Sequence, residues 1–375
     1  MKRYNTGMER DGFPGTAMTA ATPAIPVTDI RHGGPADHAR QRIEQARALR
    51  AACLGFFPAP VHAALPLFDR AARRSLRRSG SPYVAEVARI AEILDCSGVW
   101  LLNASYQWAC TALAREEADV PWLIRTLDWP FRGLGRHVEV AQMRGEAGEF
   151  FSITWPGYVG ALTAMAPARF AACLNQAPLR RRFRHRWLRP CDFAVNALAS
   201  WADSGRLPPD QLLRLVFERC GDYGAARRML ESTPIARPAI FTLVGCAAGE
   251  RCVIERTETD FVTREHDTSA ANDWVPQRPR WEGRIGVRRF LISTFDEATN
   301  YSCARRETLA GWEGSMADRS FGWLCRPVLN PYTRLAAALC PATGTLRVIG
   351  YDDVGAELPA PVTQLCEIEA AAQFA

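Results

Sequence analysis

Trp108-Ala109-Cys110-Thr111-Ala112-Leu113 and Trp122-Leu123-Ile124-Arg125-Thr126-Leu127-Asp128-Trp129 are the stretches on which the reading of this chain turns. Each reads as a short β-run bounded by turn signals. The first opens on a cysteine and the second closes on Arg-x-x-Asp. Paired antiparallel through a short hairpin, they bring Arg125 and Asp128 beside Cys110. A guanidinium next to a thiol lowers its pKa. A carboxylate holds a neighbouring amine by a charge-assisted hydrogen bond. From these residues alone, a core cysteine beside a surface ion pair is the plainer alternative.

Upstream, residues 36–96 are patterned as helix. Val87, Ile90, Ala91 and Leu94 recur at i, i+3, i+4 and i+7, and Ser81-Pro82 supplies a cap and a first-turn proline. Residues 54–68 contain Pro58, Pro60 and Pro66 and read as broken helix or loop. Downstream, strands are expected at 137–143, 150–155 and 170–175, with Trp155-Pro156-Gly157-Tyr158 as a tight turn. A helical block follows over about 192–230. Strands return at 240–246, 252–258 and 261–265, a helix is expected at 287–293, and two last strands at 334–339 and 345–350. Strands in runs, without strict alternation with helices, predict an α+β protein of antiparallel sheets layered with helices.

Composition narrows the function classes. The chain has 375 residues and an apolar fraction of 48%, enough for a large core. No apolar run approaches the roughly 20 residues of a membrane span. Residues 1–35 are rich in Gly, Pro, Thr and Ala, and Asp11, Pro14 and Thr16 interrupt any apolar signal core. A disordered leader is expected there instead of a secretory signal, and with it a cytoplasmic, bacterial-type location. The formal charge of +6 rests on arginine, Lys2 being the one lysine. It reads as a solvated Arg/Glu surface, with a weak preference for anionic surfaces as the alternative. The 12 cysteines are scattered without CxxC pairs or zinc spacing, so reduced, buried thiols are expected. No Gly-rich phosphate loop is present, and no cofactor or metal is expected.

The motifs, taken in order, resemble those of the acid ceramidase and N-acylethanolamine acid amidase group, which is related to the choloylglycine hydrolases. Cys110-Thr111 is similar to the Cys-Thr that opens that family's catalytic chain, and Arg125-Thr126-Leu127-Asp128 to its Arg-x-x-Asp. Ile153-Thr154-Trp155-Pro156-Gly157-Tyr158-Val159-Gly160 resembles its Trp-Pro-Gly segment. Leu174-Asn175-Gln176 resembles Leu-Asn-Glu, Ala271-Asn272-Asp273-Trp274 resembles Thr-Asn-Tyr-Asp-x-Trp, and Glu282-Gly283-Arg284 falls where the family has Asp-Asp-Arg. Pro327-Val328-Leu329-Asn330 and the stretch from Pro341 to Tyr351 resemble the closing strand pair. The resemblance covers roughly residues 98–351; the helices before it match the family's propeptide-like α-subunit only in general character.

That resemblance implies an N-terminal-nucleophile (Ntn) hydrolase. Its fold would be a four-layer αββα sandwich over residues 110–375, preceded by a helical segment over 36–109. It implies that the Cys110 thiol attacks the Ala109-Cys110 peptide bond and frees an α-amine. With an ordinary pKa of about 7.7–8.0, that amine is the general base, so no histidine is needed. Asp128 would orient the amine and Arg125 support the thiolate. Asn175 and Asn272 would orient substrate and donate to the oxyanion, with Arg284 bridging to the cluster. Gln176 in place of Glu, Ala271 in place of Thr, and the single acid Glu282 depart from the family pattern. The implied substrate is a fatty-acyl amide of the N-acylethanolamine or ceramide type, cleaved through a Cys110 thioester. Transfer of the acyl group to an amine, as in penicillin acyltransferases, and a non-catalytic lipid-binding role remain alternatives.

One segment bears on partners. Residues 179–190, Leu-Arg-Arg-Arg-Phe-Arg-His-Arg-Trp-Leu-Arg-Pro, interleave arginine with Phe183, Trp187 and Leu188. They suit an interfacial segment that meets anionic lipid headgroups, with Phe56, Phe57, Leu65 and Phe68 as apolar helpers. A solvated loop with paired arginines is the alternative, and nucleic acid is not expected.

Overall fold

A computed structural model describes residues 22–57, 59–104, 109–202, 205–266, 268–284 and 294–370. Strand β1 (Val27–Asp29) is followed by helices α1 (Gly34–Gln41), α2 (Ile43–Leu54), α3 (Ala59–Arg78), α4 (Val84–Leu94) and α5 (Val99–Ala104). The cysteine hairpin forms β2 (Ala109–Glu117) and β3 (Val120–Asp128). A meander follows of β4 (Glu139–Gly145), β5 (Gly148–Thr154), β6 (Thr163–Ala166) and β7 (Phe170–Gln176), then the short β8 (Leu179–Arg180). Helices α6 (Arg189–Ala202), α7 (Pro209–Arg219) and α8 (Tyr223–Ser232) precede β9 (Ala239–Val244), β10 (Arg251–Arg256) and β11 (Phe261–Arg264). Short strands β12 (Ser269–Ala270) and β13 (Trp281–Glu282) lead to α9 (Phe295–Ala310). The chain closes with β14 (Thr333–Cys340), β15 (Thr345–Asp352), β16 (Ala360–Pro361) and β17 (Cys366–Glu369).

Two sheets stack face to face. The first has the order β1-β4-β5-β6-β7-β9-β10-β11, and the second β12-β2-β3-β14-β15-β16, with β17 also on β15. Helices α7 and α8 cover the outer face of the first sheet, and α9 packs on β2 and β12 of the second. This is the helix–sheet–sheet–helix sandwich that the family resemblance implies, within the α+β class that the strand pattern predicts. The layering explains why β2 and β3 read as nearly continuous apolar runs: both faces are covered. Side chains alternate across the strands. Cys110, Ala112, Ala114, Leu123 and Leu127 enter the core between the sheets. Leu113, Trp122 and Ile124 enter a second core with Leu309 of α9. On the far side of the first sheet, Phe217 of α7 lies 4.7 Å from the Phe170 ring, a spacing at which aromatic pairs add to simple area burial.

Two expectations are corrected and a third lies outside the described residues. The leader expected over 1–35 does not hold as far as residue 35. Val27–Asp29 adds a parallel edge strand to β4, and residues 1–21 lie outside the described residues. The strand is held through Glu139 at the start of β4. Its carboxylate accepts from Thr28 Oγ1 at 3.1 Å and Arg42 Nε at 2.9 Å, and meets His38 Nε2 at 2.8 Å. Second, the stretch read as broken helix is mostly α3, which continues through Pro66. Proline deletes one helical hydrogen bond, but burial of Leu65, Ala72 and Leu76 on one face holds the helix together. Third, the helix expected at 287–293 lies outside the described residues. The helix nearest it is α9, which begins at a capping box in which Glu297 N donates to Thr294 Oγ1 at 3.1 Å and Thr294 N to Glu297 Oε2 at 3.3 Å. No helix among the described residues is long and apolar enough to cross a membrane.

Candidate active site

Strand register places the nucleophile candidate. Cys110 lies opposite Leu127 and Ala112 opposite Arg125. Cys110 and Arg125 therefore share the face turned toward the first sheet, two residues apart along the hairpin. Arg125 Nη2 reaches Cys110 Sγ at 2.7 Å, while Nη1 donates to Leu162 O at 3.3 Å and to Thr163 Oγ1. Leu174 O of β7 lies 3.8 Å from the sulfur on its other side. Both Cys110 and Arg125 are fully buried. Burial pushes the thiol up to about 12, with Arg125 pulling down and Asp128 pushing further up. The expected guanidinium–sulfur contact is present, but desolvation outweighs it, and the resting group is a thiol.

The backbone of the same residue is held from the α9 side. Cys110 N donates to Asn272 Oδ1 at 3.0 Å. Arg305 of α9 donates from Nη1 to Cys110 O at 2.9 Å, Thr111 Oγ1 at 2.8 Å and Asp128 Oδ2 at 3.2 Å. Its Nη2 donates to Asn272 Oδ1 at 2.9 Å. Asp128 pairs with Ala109 across the hairpin, so its side chain points to the α9 face, away from the sulfur. It accepts from Asn330 Nδ2 at 2.9 Å and Thr333 Oγ1 at 3.0 Å as well as from Arg305. Burial raises its pKa, against Arg305, Asn330 and Thr333, which lower it. The acceptor in direct contact with the Cys110 nitrogen is Asn272, and Asp128 reaches it through Arg305.

The remaining candidates form a shell around this core. Asn272 Nδ2 donates to Gln176 O at 2.7 Å, and Asn272 N donates to Ser302 Oγ at 2.8 Å. The Glu-to-Gln departure at 176 leaves the contact to Asn272 intact, because a backbone carbonyl makes it. Asn175 Nδ2 donates to Ala270 O and Ala271 O, each at 3.3 Å. As oxyanion donors, Asn175 and Asn272 would first have to exchange these carbonyls. Arg284 Nε donates to Ala177 O at 2.6 Å, which ties it to the end of β7 and not to Cys110 itself. Of the six residues expected in the site, Cys110, Arg125, Asp128 and Asn272 are linked within one hydrogen-bonded cluster, with Asn175 and Arg284 at its edge.

Arg305, Asn330 and Thr333 were absent from the expected set. A signal for Arg305 existed: Ala298, Ser302, Arg305 and Leu309 recur at helical spacing, and all are fully buried. A serine and an arginine on such a stripe demand polar partners inside the protein. Arg189, within the Arg-rich segment, is also fully buried. It donates from Nε to Glu282 Oε1 at 2.7 Å and from Nη2 to Gly283 O at 2.6 Å, so at this position the paired-arginine alternative holds.

Chemically, the arrangement offers a protonated nucleophile, a cation against its sulfur, an acceptor on its nitrogen and a second cation on its carbonyl. All three contacts fall on one fully buried residue.

Sequence comparison finds homologues at modest identity. No family model matches the chain. It is 26% identical over 220 residues to a probable acid ceramidase of Caenorhabditis elegans, covering 52% of each chain. It is 31% identical over 199 residues to the acid ceramidase of Heterocephalus glaber, covering 51% of this chain and 45% of that one. It is 26% identical over 182 residues to the N-acylethanolamine-hydrolyzing acid amidase of Cavia porcellus, covering 47% and 48%. The aligned stretches span about half the length of these curated relatives. Among solved structures, a C. elegans N-acylethanolamine-hydrolyzing acid amidase ortholog aligns with a TM-score of 0.44 at 16% identity, over 62% of this chain and 93% of that one. A mutant of the conjugated bile acid hydrolase from Clostridium perfringens aligns at 0.40 and 10%, over 69% and 92%. By sequence, then, the chain is a homologue, at modest identity, of the acid ceramidases and N-acylethanolamine-hydrolyzing acid amidases.

Proposed function

We propose that this chain is an Ntn amide hydrolase that cuts itself at Ala109-Cys110 and then cleaves a lipid-like N-acyl amide. The observation that carries this reading is the convergence of Arg125, Asn272 and Arg305 on the sulfur, nitrogen and carbonyl of one residue, Cys110. In maturation, Sγ adds to the Ala109 carbonyl carbon. The C–N bond to Cys110 breaks, and the nitrogen leaves with the thiol proton. Water hydrolyses the resulting thioester, freeing the Ala109 carboxylate and the α-amine of Cys110. In turnover that amine takes the thiol proton as sulfur attacks the substrate carbonyl, returns it to the departing amine, and water again resolves the thioester. Asn272 orients the amine and Arg125 supports charge as it develops on sulfur.

The names of the relatives support an N-acylethanolamine or ceramide-type substrate. Membrane-surface contact belongs to the same proposal. Trp187, two residues before α6, and Leu198, in its second half, are 68% and 61% exposed, and α6 packs on α3, which carries Leu67 at 64%. Apolar side chains beside an arginine-rich segment suit a lipid interface, and cosedimentation with anionic but not zwitterionic vesicles is the expected result. The central test is intact-mass analysis of wild type and Cys110→Ala, followed by a fluorogenic acyl-amide panel on the processed chain. A single cut before Cys110, absent from the variant, together with amide hydrolysis, supports the proposal. Activity in an uncut wild type overturns the maturation step.

A further inference from the structure

Arg305 stands where a structural arginine would be an expensive choice. It is fully buried, on α9, and its guanidinium is shared among Cys110 O, Thr111 Oγ1, Asp128 Oδ2 and Asn272 Oδ1. Burying a cation costs several kcal/mol unless it is well paired. Asp128 Oδ2, at 3.2 Å, is the carboxylate that faces it, and a second cation, Arg125, lies on the sulfur of the same Cys110.

Asn272 Oδ1 accepts from both Cys110 N at 3.0 Å and Arg305 Nη2 at 2.9 Å. Two nitrogens on one oxygen at those lengths are at most about 6 Å apart, within the range over which a neighbouring charge moves a pKa. In the precursor the Cys110 nitrogen is a neutral amide and feels little of this. Once it is an α-amine, its protonated form would face a fixed cation across a shared oxygen. The other charged and titratable groups around Cys110 and Asn272 are Arg125 and Asp128 from β3, the Cys173 thiol from β7, Tyr301 of α9 beside Arg305, and Asp273, whose charge is paired with Arg306 of α9 at 3.1 Å. The Asp128 charge is spread over Arg305, Asn330 and Thr333. Two guanidiniums against one shared carboxylate leave an excess of positive charge at the amine.

We propose that Arg305 is a positioning residue that keeps the α-amine of the matured Cys110 unprotonated and so sets the acidic limit of activity. This rests on the Ntn reading above. An amine whose ordinary pKa is about 7.7–8.0 is carried downward by the excess positive charge, and a base works best when its pKa lies near the operating pH. The same guanidinium holds Cys110 O and Asn272 in place, so it fixes where the amine sits as well as how basic it is.

The test is the pH dependence of kcat/KM for the full chain, with processing verified by mass, in wild type, Arg305→Gln and Arg305→Lys. Glutamine removes the charge, so its acidic limb should move up by about one pH unit or more. Lysine keeps the charge but not the fork; its limb should stay near the wild-type position while kcat falls. An unmoved limb in active Arg305→Gln overturns the inference and leaves the amidase reading standing. If Arg305→Gln does not fold or mature, Arg305→Lys decides: a lowered kcat with an unmoved limb supports the inference, and an upward shift with the charge retained overturns it. A wild type that never cuts before Cys110 would instead remove the reading on which the inference rests.

Discussion

Arg125 Nη2 lies 2.7 Å from Cys110 Sγ, in a layer from which water is excluded on both sides. A cation at that distance favours a thiolate, yet the thiol is pushed up to about 12, because desolvation of the charged form is the larger effect. Arg125 therefore acts on the charge that appears during attack. A buried sulfur in this state is unreactive until its proton has somewhere to go.

Replacing Arg125 by Gln should slow self-cleavage roughly 10- to 100-fold. A hydrogen bond to a charged group is worth about 1.5–3 kcal/mol, and here it is realised only as sulfur gains charge. The time course of intact mass after refolding checks this. Cleavage at the wild-type rate would remove Arg125 from the mechanism.

Cys110→Ala should remain one chain and lack amidase activity. In the uncut Arg125→Gln precursor, Cys110 should resist alkylation at neutral pH, as its raised pKa requires. Mass analysis after a short iodoacetamide pulse reads this directly; rapid modification of Cys110 in the folded precursor would contradict its burial.

Asn272→Ala should damage both stability and maturation, and Asn175→Ala should damage stability less. Removing Asn272 strips partners from Cys110 N, Arg305 Nη2 and Gln176 O, all within 3.0 Å of it. Each buried group left unsatisfied costs about 1–3 kcal/mol. Asn175 gives up two bonds of 3.3 Å to neighbouring carbonyls and a long one accepted from Cys173 Sγ at 3.9 Å. Urea unfolding of the two variants should rank them in that order, and the reverse order would show that the polar cluster is not centred on Asn272.

The hairpin was legible because its signal is local. Apolar continuity over β2 and β3 reports a strand covered on both faces, and register then fixes which side chains share a face. Asp128 was placed in the right cluster: period-2 alternation turns it away from Cys110 Sγ, to the face on which Arg305 and Asn272 hold the Cys110 backbone. Arg305 was not read, because it meets Cys110 across a separation of 195 positions. Only the tertiary layering of α9 on β2 brings them together. The β1 strand was missed for a different reason: three residues among prolines carry no periodicity, and its stability comes from Glu139 reaching back to Thr28, His38 and Arg42. Residues whose partners are distant in sequence leave little trace in local pattern.

Asp210, in the first turn of α7, gives a prediction for pH and stability that is independent of catalysis. It is fully buried. Burial raises its pKa from an ordinary carboxylate value to about 6, against the lowering effects of Arg237 and the hydrogen bond from Tyr158 Oη at 2.8 Å. A Cβ added at Gly160 would lie 2.3 Å from Asp210 Oδ2, so the glycine backbone packs directly against the carboxylate. The folded state holds this proton more tightly than the unfolded state does. Its contribution to stability is thus fully present below about pH 4 and is lost as pH rises through about 6. Two pKa units correspond to about 3 kcal/mol. Asp210→Asn keeps an acceptor for Tyr158 and cannot ionise. The difference in unfolding free energy between variant and wild type should therefore grow in the variant's favour from about pH 4 to pH 6 and level off above, by up to ~3 kcal/mol. Denaturant melts at a series of pH values measure that difference with the other titrating groups cancelled. A difference that is constant across the window would mean that Asp210 is charged in the folded protein throughout, with Arg237 overcoming the cost of its burial.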